Sequence, residues 1–517
     1  MRKMLYFTVF VSGMASLAVE MAASRLLGNY FGTSNLVWAS IIGLILIYLT
    51  IGYFIGGKWA DESPKFETFF SILAWASLTI AFVPLVSRPI LRFAASAFDN
   101  LAMGNLIGSF LVVMILFVVP VTLLGTASPF AIRLAIQDSR QTGTIAGRVY
   151  AISTLGSFVG TFLSVIILIP LIGTYRTFLA ISTILLSVTL VGMGLTVNWK
   201  RTIRFLWMPL VLLLLAIFGT PGTDKIAEGM IYETESSYNY IQVLESNGYH
   251  LLRLNEGQGV HSIYNPTQLN YYGPWEQVLV APFFNDPTVN PEDIKSMAII
   301  GLAGGTTARQ ASIVYPDIKI DGYEIDPKIV DTAKDYFGLD LPNLNIFIQD
   351  GRWGLSTSKN SYDIISVDAY RPPYIPWHMT TREFFQEAYD HLNPKGVMVI
   401  NVGRGPSDRR IIDALGSTIL SVFPTIHVMD LPDSFNSIIF ATVTPTVPEN
   451  FQDNFISLQN KGGAHPLLLE TMLITFQNLK TPPQGNEVFT DDLAPIEWLT
   501  NSLIVDFFLN GQLETIQ

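Results

Sequence analysis

Glycines and acids close four successive apolar runs between residues 297 and 368. The first run passes into Gly301-Leu-Ala-Gly304-Gly305. Glycines there permit a tight turn and a close approach of the backbone to a ligand at a helix N-terminus. Glu324 closes the next run, about 20 residues on, where a carboxylate can accept from both hydroxyls of a ribose. Asp350-Gly351 closes the third run, where an adenine edge would lie, and Asp368 closes the fourth, over the reacting centre. Any one of these acids is an ordinary turn or cap residue. All four strand ends in register make a nucleoside site.

The ligand is narrowed by what the pattern lacks. The third glycine of G-x-G-x-x-G is missing and no Walker lysine follows. A single adenosine-type ligand fits better than a dinucleotide, and this topology points to an S-adenosyl sulfonium. Cysteine is absent, and the six histidines show no ligand spacing, so no metal is expected.

The elements that position these residues begin after about position 222. Residues 1–222 hold 14 Lys and Arg against 6 Asp and Glu, a net charge of +8; the remainder holds 17 against 36, a net of −19. The acidic part argues against nucleic acid as a partner. Within it, 223–285 reads as a small β-hairpin domain. Residues 286–445 alternate apolar runs with helical stretches, predicting a methyltransferase-like Rossmann domain of about seven strands that ends in an antiparallel hairpin. The tail 446–517 reads as a helical extension carrying Asp491 and Asp492.

Residues 1–222 read as a bundle of about seven spans, each long enough for ~30 Å of hydrocarbon. The spans are expected near 5–26, 36–58, 67–86, 104–127, 149–172, 176–197 and 203–220, with 87–100 lying at the interface. Arg2 and Lys3 before an apolar run open like a signal peptide, but Glu20 and Arg25 occupy the place of a cleavage site, so a retained span is expected. Gly52-x-x-x-Gly56 and Gly156-x-x-x-Gly160 read as close-packing faces. Glu20 is an acid well inside a span, with either a structural partner or a ligand role in the bundle. These features predict a multi-pass protein of the cell's inner membrane, in contact with the lipid bilayer. The Lys and Arg bias places the N-terminus inside, which with seven spans sends the soluble part outside. A metabolite-using site argues for the cytoplasm instead.

The soluble half resembles the spermidine synthase (polyamine aminopropyltransferase) family over about 230–445, and the whole layout resembles its membrane-fused branch. Glu235-Ser-Ser-Tyr238 is similar to the family's E-S-x-Y strand, and Leu254-Asn-Glu-Gly257 to its L-D-G hairpin. Gly301 to Arg309 stands where the family has G-G-G-D-G-G-x-x-R. Tyr323-Glu324-Ile-Asp326 matches V-E-I-D, Asp350-Gly351 matches D-G, and Asp368-Ala-Tyr370-Arg371-Pro372 stands at D-S-S-D-P. The resemblance implies that Glu324 binds ribose, Asp350 binds adenine, and Asp368 deprotonates an attacking amine. It also implies decarboxylated S-adenosylmethionine as co-substrate, methylthioadenosine as product, and a homodimer. Two family acids are missing: Gly304 replaces the one that holds the donor's propylamine, and Arg371 replaces one that holds the acceptor. Either other acids, such as Glu276, Asp491 or Asp492, take their place beside Tyr238 and Tyr370, or the substrate has changed. In the second case intact S-adenosylmethionine is used, with Arg371 near its carboxylate, for aminocarboxypropyl or methyl transfer or internal cleavage. A third reading makes the chain a nucleoside-sensing transporter.

Overall fold

The computed structural model describes residues 1–31, 35–98, 104–136, 141–219, 225–255, 259–370, 374–406, 408–483 and 485–509. Gly257, Arg371, Pro372 and Gln517 lie outside them. The chain forms two compact units, Met1–Ile226 and Ala227–Gln517.

Among the described residues, seven helices of the first unit are long and apolar enough to cross a membrane. The helix Arg2–Phe31 is its centre, with 19 of its 30 residues buried. Glycine allows the closest helix contacts. A Cβ on Gly156 would lie 2.0 Å from the carbonyl oxygen of Phe10, and one on Gly52 would lie 2.3 Å from that of Thr122. Both small-residue faces therefore serve packing between backbones. The expected interfacial stretch is different: the helix Phe66–Phe98 runs on through residues 87–98 and carries Pro84 and Pro89 inside it. The Arg88 guanidinium lies 4.4 Å over the Tyr175 ring, a contact that shields the charge within the unit. Glu20 is buried on the central helix.

The second unit opens with an antiparallel meander, β1 (Met230–Glu235), β2 (Tyr240–Ser246), β3 (Tyr249–Leu254) and β4 (Val260–Tyr264). An eight-stranded mixed sheet follows. Its strands are β5 (Ser296–Ile300), β6 (Lys319–Glu324), β7 (Leu344–Ile348), β8 (Tyr362–Val367), β9 (Leu392–Gly403), β10 (Thr425–Asp430), β11 (Asn436–Thr442) and β12 (Leu479–Lys480). The order is β12-β10-β11-β9-β8-β5-β6-β7. The strands β5 to β9 are parallel, and β10 and β11 form the antiparallel hairpin that closes the sheet. This is a methyltransferase-like Rossmann arrangement. It has one strand more than the expected seven, because β12, from the C-terminal tail, pairs with β10.

Both faces of the sheet are covered, as the period-2 pattern requires. On β5, Met297 and Ile299 enter one core while Ala298 and Ile300 enter the other; on β9, Val397 and Val399 oppose Met398, Ile400 and Val402. The meander is fastened to the sheet by Asp326, which is fully buried. Its carboxylate caps the helix Pro327–Tyr336 at Lys328 N (3.0 Å) and accepts from Ser236 Oγ (2.5 Å) and Asn239 Nδ2 (2.9 Å). Ser236 and Asn239 belong to the β1–β2 turn, so the Glu235-Ser-Ser-Tyr238 segment is first of all a docking turn.

Candidate active site

The first turn of the site is forced open by proximity to the fourth. Gly301 has φ +90°, and a Cβ there would sit 2.6 Å from the carbonyl oxygen of Asp368. The Asp368 amide donates to Ile300 O (2.9 Å), so the ends of β5 and β8 are pinched together. Glu324, at the end of β6, accepts from Ala303 N (3.0 Å) and from Asp326 N (3.1 Å). It therefore grips the glycine turn directly. Gly351 begins the helix after β7, and a Cβ on it would lie 2.4 Å from Ile300 Cγ2. Gly301, Glu324, Asp350-Gly351 and Asp368 thus converge on the carboxyl ends of β5, β6, β7 and β8.

Their electrostatics differ. Burial pushes the Glu324 carboxyl up to about 7, against the pull of its backbone donors. Burial also pushes Asp368 up to about 6. Asp368 keeps some accessible surface but is enclosed on nearly every side by protein, and the second fact governs its charge. Its Oδ1 accepts from Asn401 Nδ2 (3.0 Å) on β9, and Asn401 Oδ1 accepts from Asn436 Nδ2 (2.8 Å) on β11. An amide on β9, itself held by one on the closing hairpin, therefore orients this carboxylate. Asp350 is held below the usual carboxylate range, chiefly by His378, whose Nε2 is 3.3 Å from its Oδ2, while Oδ1 caps Trp353 N (3.0 Å).

Several expected site residues are otherwise engaged. Glu276 is buried and accepts from Tyr271 N (2.8 Å), Gly273 N (3.0 Å) and Gln310 Nε2 (2.6 Å), so it braces a turn. Asp491 is also engaged. Arg352 NH1 and NH2 bind its two oxygens at 2.8 Å each, and Thr381 Oγ1 donates to it at 2.7 Å. The same Arg352 pairs with Glu387 and donates to His378 O (2.8 Å), so the tail holds the turn that carries His378 in place. Asp492 is exposed in the adjoining turn. The Tyr370 hydroxyl donates to Asn401 O (3.1 Å) and accepts from Gly403 N (2.6 Å), fixing the loop after Asp368. Tyr238 is exposed in the β1–β2 turn.

Gly304, the position of a missing family acid, donates its amide to Ser262 Oγ (2.8 Å) of the meander. A Cβ there would meet Ser262 Cβ at 2.7 Å and Phe337 Cδ1 at 3.1 Å. Gly305 has φ +78° and starts the helix Thr306–Val314. Sequence reasoning missed His378, Arg352, Asn401 and Asn436. Only Asn401 carried a signal, as a polar residue near the end of the strand after Asp368.

Residues 283–454 match the model of the spermine/spermidine synthase domain. A probable polyamine aminopropyl transferase of Bifidobacterium longum is 33% identical over 288 residues, covering 52% of this chain and 62% of that one. A polyamine aminopropyltransferase of Vibrio vulnificus is 28% identical over 282 residues, covering 52% of this chain and 89% of that one. A probable spermidine synthase structure from Corynebacterium glutamicum covers 46% of this chain and 89% of its own at 19% identity, with a TM-score of 0.39. Human methyltransferase-like protein 13 covers 40% and 92% at 23% identity, with a TM-score of 0.30.

Two outcomes follow. If the ionised form of Glu324 accepts from a ribose, affinity for methylthioadenosine should fall as pH drops below about 7, by roughly tenfold per unit well below it. Calorimetric titration of the full-length protein reads this, and Glu324→Gln should flatten the profile while leaving the His378–Asp350 pair intact. A wild-type affinity that is constant between about pH 5.5 and 8 removes Glu324 from the ribose. Second, the Asn401 donor stabilises the charged form of Asp368, so Asn401→Leu should move the acid limb of the rate profile upward. An unmoved limb would mean that Asn401 only packs.

Proposed function

Starting from a soluble half that belongs to the spermine/spermidine synthase family, we propose that this chain is a membrane-anchored transferase. It uses an S-adenosyl sulfonium donor and moves an aminopropyl group from decarboxylated S-adenosylmethionine to an amine. The observation that carries this reading is the convergence of the Gly301 turn, Glu324, Asp350 and Asp368 on four adjacent strand ends. The glycine turn gives the nucleoside close access to backbone, Glu324 takes the ribose, and Asp350 accepts from the adenine amine. Asp368 takes the proton of the acceptor's ammonium, which has a pKa near ~10 and is no nucleophile while protonated. The freed lone pair attacks the carbon beside the sulfur. The carbon–sulfur bond breaks, and its electrons stay on a neutral thioether, methylthioadenosine. Juxtaposition of the two reactants supplies much of the acceleration.

A second reading has its own support. The residues at Gly304 leave no room for the acid that would hold a cationic propylamine. That favours intact S-adenosylmethionine, used for aminocarboxypropyl or methyl transfer or for internal cleavage. One assay separates them. Full-length protein is supplied with decarboxylated S-adenosylmethionine plus putrescine, or with S-adenosylmethionine alone, and nucleosides are followed by mass spectrometry. Methylthioadenosine in the first mixture only supports aminopropyl transfer; in the second, the intact donor; S-adenosylhomocysteine marks methyl transfer. Asp368→Asn should lower turnover by about 10²-fold or more with nucleoside binding retained. Unchanged turnover would remove Asp368 as the base.

Sidedness follows from the metabolite. A cytoplasmic donor puts the soluble half in the cytoplasm, and seven spans then put the basic loops on the other side, against the usual Lys and Arg bias. C-terminal fusions settle the balance: a cytoplasm-active reporter at Gln517 should be active and a periplasm-active one silent. The reverse pattern would place the enzyme outside.

A further inference from the structure

The seven-helix unit contains a pocket of about 600 Å³ that nothing in the proposed reaction uses. It lies where helices begin and end: after Glu62, after Ala135 and around Thr196 to Arg201. If the helices span a bilayer, this is the level at which headgroups meet hydrocarbon. Its walls are of two kinds. Phe66, Leu134 and Val197 are apolar, while Lys65, Arg133 and Arg201 are cationic.

The charges leave one unit unanswered. Arg133 is engaged at Nε by Asp61 (3.0 Å), and Arg201 is paired with Glu67. Lys65 is exposed and has no acidic partner among the described residues. Three cations against two acids give a local charge of +1. Both arginine side chains stay about half exposed, at 46% and 53%, although each is paired. Guanidinium and ammonium groups converging over an apolar wall suit a phosphate group that carries an acyl moiety. A phosphodiester bears a single negative charge, which matches the surplus.

We propose that the Lys65–Arg133–Arg201 pocket binds a phosphate-bearing anion, with the phosphodiester headgroup of an anionic phospholipid as the ligand that also satisfies its apolar wall. This rests on the helices being membrane spans and is independent of the transferase reaction.

The test is native mass spectrometry of the full-length protein released from lipid discs. Discs of phosphatidylcholine are compared with discs containing phosphatidylglycerol, and a separate arm adds inorganic phosphate. Phosphatidylglycerol should be retained at least about fivefold over phosphatidylcholine. Lys65→Gln and Arg133→Gln should each abolish the preference. Arg133→Lys, which keeps the charge, and Lys58→Gln, outside the pocket, should preserve it and show that the variants fold. A preference for inorganic phosphate with the same variant sensitivity would support the phosphate site with a soluble source. No preference in either arm, or a wild-type preference in both pocket variants, overturns the proposal. Failure to enter discs at all removes the spanning premise separately.

Discussion

The second unit is organised around carboxylates held at the carboxyl ends of its parallel strands and answered mainly by neutral donors. Glu324 is met by the Ala303 and Asp326 amides, and Asp368 by the Asn401 side chain. Burial opposes the charge on both, and hydrogen bonds only partly restore it. An edge of this kind favours a ligand that brings hydroxyls or positive charge, which ribose and an amine or sulfonium supply. The constraint reaches outward. Asn401 must itself be aimed, which Asn436 does from β11. The Asp368 loop must not swing, which Tyr370 prevents by locking onto β9.

The seven-helix unit has the length and composition to cross a membrane. Helices in lipid gain little from apolar burial and depend on close backbone approach and satisfied polar atoms. Gly156 and Gly160 set the central helix against its neighbour, and Ser77 and Ser182 exchange hydrogen bonds of 2.6 Å between two helices. Charge is moved to the ends or covered, as Tyr175 covers Arg88.

The legible part of the fold was the part written in local periodicity. The parallel strands were legible because strands covered on both faces read as short continuous apolar runs. The site acids were legible for a related reason: parallel strands put their carboxyl ends on one edge, so residues that close successive strands meet there. Long-range pairing was not legible. Asp491 looks like a substrate acid until Arg352, 139 residues earlier, takes both its oxygens. Glu276 looks available until Gln310 and two backbone amides fill it. Only two residues long, β12 has no periodicity to read. The continuation of a helix through Arg88 and Arg92 depended on a ring brought in from another helix.

The missing acid at Gly304 takes on a different meaning once the meander is in place. In sequence it is a single departure, open to compensation from elsewhere. In space it is shared between two parts of the unit, because Ser262 of β4 hydrogen-bonds the Gly304 amide and occupies the volume a side chain would need. Restoring an acid would require the glycine turn, Ser262 and Phe337 to change together. A feature that takes three neighbours to reverse is harder to attribute to drift than one residue is. Of the acids suggested as replacements, Asp491 is engaged by Arg352 and Glu276 by the Gly273 turn. The charge that would meet a donor's amino end is therefore reduced by packing as well as by composition, and this physical ground keeps the intact donor close behind the decarboxylated one.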